Sequence, residues 1–295
     1  MEEIDYQKAI ELYTQAVNKG DLDATYNLAI MYENGMGVEI NYQKAVELYT
    51  KAIDKGDACA MNNLAYMYET GIGVEIDYQK AVELYTQAVN KGDPDAMYNL
   101  ADMYESGKGV EINLQKTVEL YTKAIDKDNS AAMNNLAYMY ENGIGVEIDY
   151  QKAIELYTQS VNKGDVEAMG NLAEMYENGV GVEINYKKAI ELYTQAIDGK
   201  DMDALQNLTN LYRKHKTLFD KKNIIDFFLS KYPDNLKIIF DYDADVISYL
   251  QENYAFRKEI QDLKKMNKEL TDHINLSPGG LEYFEILNEW GNRLK

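Results

Sequence analysis

The stretch Met139–Gln159, MYENGIGVEIDYQKAIELYTQ, decides the fold. It holds two glycines two apart, Gly143 and Gly145, then Asp149 and a run with helical apolar spacing. Alone, a Gly-x-Gly suggests a phosphate loop, but such a loop follows a strand and usually has a lysine just after it. Neither is present here. Instead MYENGMGVEINYQKAVELYT begins at Met31 and MYETGIGVEIDYQKAVELYTQ at Met67. The phrase returns every 36 residues, so the glycines are read as turn chemistry, repeated because the turn is repeated.

DYQKAIELYTQAVNKGD at Asp5 recurs with small changes from Asn41, Asp77, Asn113, Asp149 and Asn185, which makes six units. A period of 72 overlies that of 36, since MNNLAYMYE occurs at Met61 and again at Met133. Each unit is predicted to be two helices, A and B. Helix A starts at an Asp or Asn that can cap free N–H groups. Tyr6, Ala9, Ile10, Leu12, Tyr13, Ala16 and Val17 share one arc of it. Gly20 ends it. Helix B is capped by Asp21, Asp57, Asp93, Asn129, Asp165 and Asp201, with Pro94 at a first helical position. Ala24, Leu28, Met31 and Tyr32 form its buried stripe, and Gly35 and Gly37 stop it. One such hairpin cannot bury its own apolar faces, so neighbours must stack.

The unit Asp-Tyr-x-Lys-Ala-x-x-Leu-Tyr-x-x-Ala … Gly-Asp-x-x-Ala-x-x-Asn-Leu-Ala-x-Met-Tyr-x-x-Gly-x-Gly-Val resembles the Sel-1-like repeat, a relative of the tetratricopeptide repeat, over residues 5–212. That resemblance implies an all-α, right-handed superhelical α-solenoid of six helical hairpins. It also implies an adaptor or scaffold without catalysis of its own. The cysteine-rich secreted branch of the family fits poorly, because Cys59 is the one cysteine. The sixth unit departs at LYRKHKTLFDKK, where the array stops. The expected domains are the solenoid at 1–216, a capping segment at 217–245, and a coiled-coil-like helix and tail at 246–295.

The chain has 295 residues, 46% apolar, and a formal net charge of -20. Residues 1–216 hold 19 basic and 36 acidic side chains, so the negative field belongs to the repeats. Nucleic acid and anionic membrane surfaces are repelled by such a field, and basic or polar protein partners suit it. No apolar run reaches membrane-spanning length. The acidic start MEEIDYQKA reads as a helix rather than a signal peptide, so an intracellular, cytoplasmic protein is expected. The histidines, His215 and His273, stand beside no nucleophile or metal set. No cofactor, metal or catalytic residue is expected.

Repeats that agree in their core differ at two helix B positions. One reads Tyr26, Asn62, Tyr98, Asn134, Gly170, Gln206 and the other Ile30, Tyr66, Asp102, Tyr138, Glu174, Asn210. Beside them runs an unbroken row, Asn27, Asn63, Asn99, Asn135, Asn171 and Asn207. A carboxamide can donate to and accept from a peptide backbone, so this row, with Tyr26, Tyr66, Tyr98 and Tyr138, is the candidate partner-binding face. The alternative is structural: each asparagine satisfies a carbonyl of the adjacent hairpin or loop. The helix A row Gln7, Glu11, Gln15 is the other candidate face.

The C-terminal part carries three further features. NIIDFFLSKY from Asn223 is apolar enough to cap the array. Asp241, Asp243, Asp245 and Glu252 have the spacing of a calcium loop, but Val246 stands where that loop needs glycine. From Val246 the apolar residues fall in heptads, with Asn253, Ile260, Asn267 and Ile274 at a and Leu263 and Leu270 at d. This seam predicts a parallel homodimer, the alternative being a helix folded back on its own solenoid. The following SPGG and Tyr-containing last segment resembles the tails of repeat proteins from very large DNA viruses, which implies a host cytoplasm or a virion. The leading functional expectation is a non-enzymatic scaffold for protein or peptide partners. The alternative is a structural or packaging component of a particle.

Overall fold

A computed structural model describes residues 5–215. The capping segment, the calcium-loop spacing, the heptad seam and the tail lie outside the described residues. Described are α1 (Tyr6–Asn18), α2 (Leu22–Asn34), α3 (Tyr42–Ile53), α4 (Ala58–Thr70), α5 (Tyr78–Asn90), α6 (Pro94–Ser106), α7 (Leu114–Ile125), α8 (Ser130–Asn142), α9 (Tyr150–Asn162), α10 (Val166–Asn178), α11 (Tyr186–Asp198) and α12 (Met202–Lys214). There is no strand among the described residues. The architecture is an α-solenoid in which odd helices are the A members of the repeats and even helices the B members. The chain divides into two units, Met1–Leu205 and Gln206–Lys295, and of the second only the end of α12 and His215 are described.

Local chemistry sets the helix limits. Asp5 accepts a hydrogen bond from the Lys8 N–H at 3.0 Å and Asp21 from the Ala24 N–H at 2.9 Å, satisfying donors that helix starts leave orphaned. The same cap recurs at Asn41, Asp57, Asp77, Asp93 and later starts. Helix B ends on Gly35 in the left-handed region at φ 69°. Gly37 is required for a second reason: a Cβ there would lie 2.4 Å from the Tyr6 Cβ. The loop thus lies directly on the first turn of its own repeat's helix A. Gln43 Nε2 donates to the Gly73 carbonyl at 2.9 Å, and Gln115 and Gln151 hold Gly145 and Gly181 in the same way.

Each helix B packs most extensively on the helix A that follows it: α2 on α3, α4 on α5, α6 on α7, α8 on α9 and α10 on α11. Contact with the helix A of its own hairpin is less extensive. Fully buried alanines, among them Ala29, Ala45 and Ala52, let these pairs approach closely. Leu48 is 2% exposed, whereas its counterpart Leu12 is 56% exposed, because α2 covers α3 and no described helix lies before α1. The predicted apolar arc of α1 therefore holds no buried residue.

The helix A tyrosines are at the centre of the core. Tyr49, Tyr85, Tyr121, Tyr157 and Tyr193 are each 0% exposed. Each hydroxyl donates to a glutamate sixteen residues earlier, at the end of the preceding helix B. Tyr85 bonds Glu69 at 3.0 Å, Tyr121 bonds Glu105 at 3.1 Å, Tyr157 bonds Glu141 and Tyr193 bonds Glu177 at 2.9 Å, and Tyr49 bonds Glu33. The other tyrosines of the predicted helix A arc and helix B stripe, those at the positions of Tyr6 and Tyr32, differ. Tyr6, Tyr78 and Tyr150 are exposed, and Tyr68, Tyr140 and Tyr176 lie under lysine ammonium groups at 4.2–4.6 Å.

The turn between helices A and B needs a left-handed residue. Gly20, Gly56, Gly92 and Gly164 supply it, but Asp128 and Lys200 hold the same place at φ 68° and 73°. A side chain resists that conformation by about 1–2 kcal/mol. Lys200→Gly is therefore expected to stabilise the array by about 1 kcal/mol, read from the urea denaturation midpoint. An unchanged or lower midpoint would show that Lys200 is unstrained.

Candidate binding groove on the helix B face

Helix B begins and ends at fixed points, so positions five and nine of each helix form two rows on the face away from the core. The structure brings part of both rows together in one open groove of about 530 Å³. Asn62, Asn63, Tyr66, Tyr98 and Asn99 line it, as does Ile30. Five residues without a place in the sequence-derived site join them: Glu33, Asn34, Asp95, Asn129 and Ala131. Glu33 had a signal, since a glutamate recurs in every MYE of the first five repeats. Asp95 and Asn129 had none, because what brings them here is the curvature that sets one helix start beside the face of an earlier helix.

The asparagine row links neighbouring repeats. Asn63 Nδ2 donates to the Tyr26 hydroxyl at 3.3 Å and to the Tyr49 hydroxyl at 3.2 Å. Asn99 Nδ2 donates to Asn62 Oδ1 at 2.9 Å. The pattern then repeats: Asn135 reaches Tyr98 at 3.4 Å and Tyr121 at 3.1 Å, and Asn171 reaches Asn134 at 3.0 Å. The partner in the preceding repeat is always 37 residues earlier, alternately a tyrosine and an asparagine, and this is the physical content of the 72-residue period. The structural partners are thus side chains, not the carbonyls expected from the sequence. Asn27 has no such bond among the described residues, and Asn207 lies in the second unit.

Some polar groups of the face remain open. The Tyr66 and Tyr138 side chains are 46% and 49% exposed, and neither hydroxyl has a partner among the described residues. Asn99 Oδ1 likewise receives no donor there. Burial holds the Tyr26 and Tyr98 hydroxyls above the usual phenol range. In the third repeat Lys108 reaches Glu69 Oε1 at 3.1 Å and Asp102 Oδ2 at 3.9 Å, and burial pushes the Asp102 carboxyl up. In the second and fourth repeats the helix A row, by contrast, is self-occupied. Its glutamine holds the loop, and Glu47 and Glu119 each pair with two lysines of their own helix. Cys59 is exposed, and burial with the Asp93 carboxylate pushes its thiol up to about 11, which makes it a poor nucleophile. Among the described residues no cluster could hold a metal ion, and no helix is long and apolar enough to cross a membrane.

A sequence profile of the Sel1 repeat matches residues 2–21, 22–57, 60–93, 94–129, 130–165 and 166–201. The first match covers α1 alone, and the other five run from helix B into the next helix A, the pair that packs most extensively. A crystal structure of a protective antigen of uropathogenic Escherichia coli with an SLR fold is 28% identical. Its TM-score is 0.66, over 80% of this chain and 51% of that one. A crystal structure of a Sel1 repeat protein from Oxalobacter formigenes is 26% identical. Its TM-score is 0.62, over 69% of this chain and 89% of that one. This chain thus spans about half the length of the first. No curated protein matches.

Two outcomes follow from the geometry. Asn99→Ala removes a bond between repeats and should cost about 1 kcal/mol in urea melts, while Asn27→Ala, with nothing to bond, should cost almost nothing. Equal costs would separate the row from stability. Second, burial holds the Glu141 carboxyl above its ordinary value, so the folded state binds that proton more firmly than the unfolded. This contribution to stability is complete below the ordinary carboxylate range and is lost as pH rises through the raised pKa. Glu141→Gln keeps an acceptor for Tyr157 without ionising. Its stability gain over the parent should be present at pH 7 and shrink toward about pH 4. A pH-independent difference contradicts it.

Proposed function

The chain belongs to the Sel1 repeat family, and we propose that it is a non-enzymatic scaffold holding an extended protein segment in the helix B groove of its first four repeats. Sel1 repeats generally serve protein–protein interaction. The observation that carries the reading is the groove itself. It is long enough to cross several repeats, and it presents the open Tyr66 hydroxyl and Asn99 Oδ1 beside the ring of Tyr98. A carboxamide and a phenol in that arrangement suit a peptide backbone, whose N–H and C=O groups need partners when they leave water. Aromatic side chains add contact area at small entropic cost. Glu33 and Asp95 at the rim, within the acidic repeats, select against acidic segments and favour basic ones.

Affinity capture from cell extract tests this, with the parent chain and with Tyr66→Ala/Tyr98→Ala as baits. The double variant is expected to keep its helicity and lose about tenfold or more of a captured partner, as loss of two aromatic contacts at a groove centre does. Capture should also weaken with salt, as attraction between an acidic rim and a basic segment is screened. Equal capture by both baits would remove the groove from the function.

A further inference from the structure

Gly170 occupies the position held by Tyr26 and Tyr98 in the first and third repeats. A shift of 72 residues along the array leaves the buried stripe of this helix B unchanged: Leu100, Ala101 and Met103 become Leu172, Ala173 and Met175, all buried. The groove residues change instead. Tyr98 becomes Gly170, Asp95 becomes Glu167 and Asn129 becomes Asp201. The two repeat pairs therefore agree where they pack and differ where they face solvent.

Nothing in the backbone asks for glycine here. Gly170 lies inside α10, away from the left-handed region, where glycine costs about 1 kcal/mol relative to alanine. A Cβ at this position would meet one atom within 4 Å, Asp201 Oδ2 at 3.1 Å, and otherwise open space. Asp201 Oδ1 is already used, accepting from the N–H groups of Asp203 at 2.8 Å and Ala204 at 3.0 Å. Oδ2 has no donor among the described residues and borders the vacated space. Asn171 uses its Nδ2 on Asn134, which leaves its Oδ1 without a donor there. Glu167 is exposed one turn before Gly170.

We propose that this gap is a side-chain slot for a cationic residue, arginine or lysine, of the segment held in the groove, a refinement that rests on the groove reading above. A guanidinium or ammonium entering over Gly170 donates to Asp201 Oδ2, and Glu167 stands at the mouth. Asn171 Oδ1 accepts a further N–H. An apolar or acidic side chain leaves these acceptors unpaired or repelled. In the preceding repeat pair the ring of Tyr98 fills the equivalent space. The slot thus sets which residue must follow three repeats along from the Tyr66 station.

The full chain, labelled with nitrogen-15, would be titrated with Nα-acetyl-arginine N-methylamide and with its neutral citrulline isostere. The arginine probe should shift the amides of Gly170 and Asp201 at millimolar concentration, and the citrulline probe should not. Asp201→Asn keeps the cap, as Asn129 does for α8, and should weaken the arginine probe about fivefold, the worth of a partly exposed ion pair. Gly170→Tyr places a ring that the array already accommodates at Tyr26 and Tyr98, and should abolish the response. Tyr66→Ala/Tyr98→Ala should leave it unchanged. Equal shifts from both probes, or indifference to Asp201→Asn, overturn the slot. If the slot substitutions change nothing while Tyr66→Ala/Tyr98→Ala loses the captured partner, the groove stands and the slot does not. If the arginine probe behaves as expected while capture ignores the groove tyrosines, the slot stands and the groove reading falls.

Discussion

The contact on which the array depends is the hydroxyl of a fully buried tyrosine donating to a glutamate of the preceding repeat. A phenol that leaves water without a partner is costly, so the hydroxyl must be met. Each helix A brings its tyrosine to the end of the helix B before it, where the glutamate of MYE waits. Apolar packing alone would tolerate a slide of one helix along the other. The bond allows a single register, and repeating it five times gives the solenoid one geometry.

That register also shapes the outer face. Once helix B is fixed against the next helix A, successive helices B present the same positions side by side, and residues 37 apart come within bonding reach. Asn63 and Asn135 then serve two roles at once, tying Tyr26 or Tyr98 to the buried tyrosine and steadying the floor of the face. The amides are therefore both scaffold and lining. What remains without a partner among the described residues is the Oδ1 of Asn99 and Asn171, whose Nδ2 is used between repeats, and the hydroxyls of Tyr66 and Tyr138. A rigid lining of this kind costs little further ordering when a segment binds.

The repeats also show where the array tolerates change. The core leucine row from Leu28 to Leu208 is constant, and the small core positions change only between alanine and the buried Thr117, Ser160 and Thr209, because each is packed from two sides. The turn between helices tolerates Asp128 and Lys200 in a strained conformation. The groove positions vary most, from tyrosine to asparagine to glycine, even where Tyr26 and Tyr98 lie against the buried Tyr49 and Tyr121, with ring centroids 6.0 and 5.8 Å apart. A solenoid separates these demands in space, and its binding face can therefore diverge repeat by repeat.

The sequence by itself determined the class and its punctuation. A 36-residue period, caps at Asp5 and Asp21, and glycines at 35 and 37 are local chemistry, and local chemistry is written in consecutive residues. It also marked the face, because Tyr66, Tyr98 and the asparagines stand out when six copies are aligned with one another. It did not show that the strongest pairing joins helix B to the next helix A, since a repeat can be phased from either helix. It did not show that Glu33 answers Tyr49, that the asparagines bond side chains, or that Asp95 and Asn129 reach the groove. Those relations span 16 to 37 residues and depend on how one helix lies on another. Only the tertiary structure carries that distance and angle, and it alone distinguishes Gly170, a gap beside a carboxylate, from a glycine that merely ends a helix.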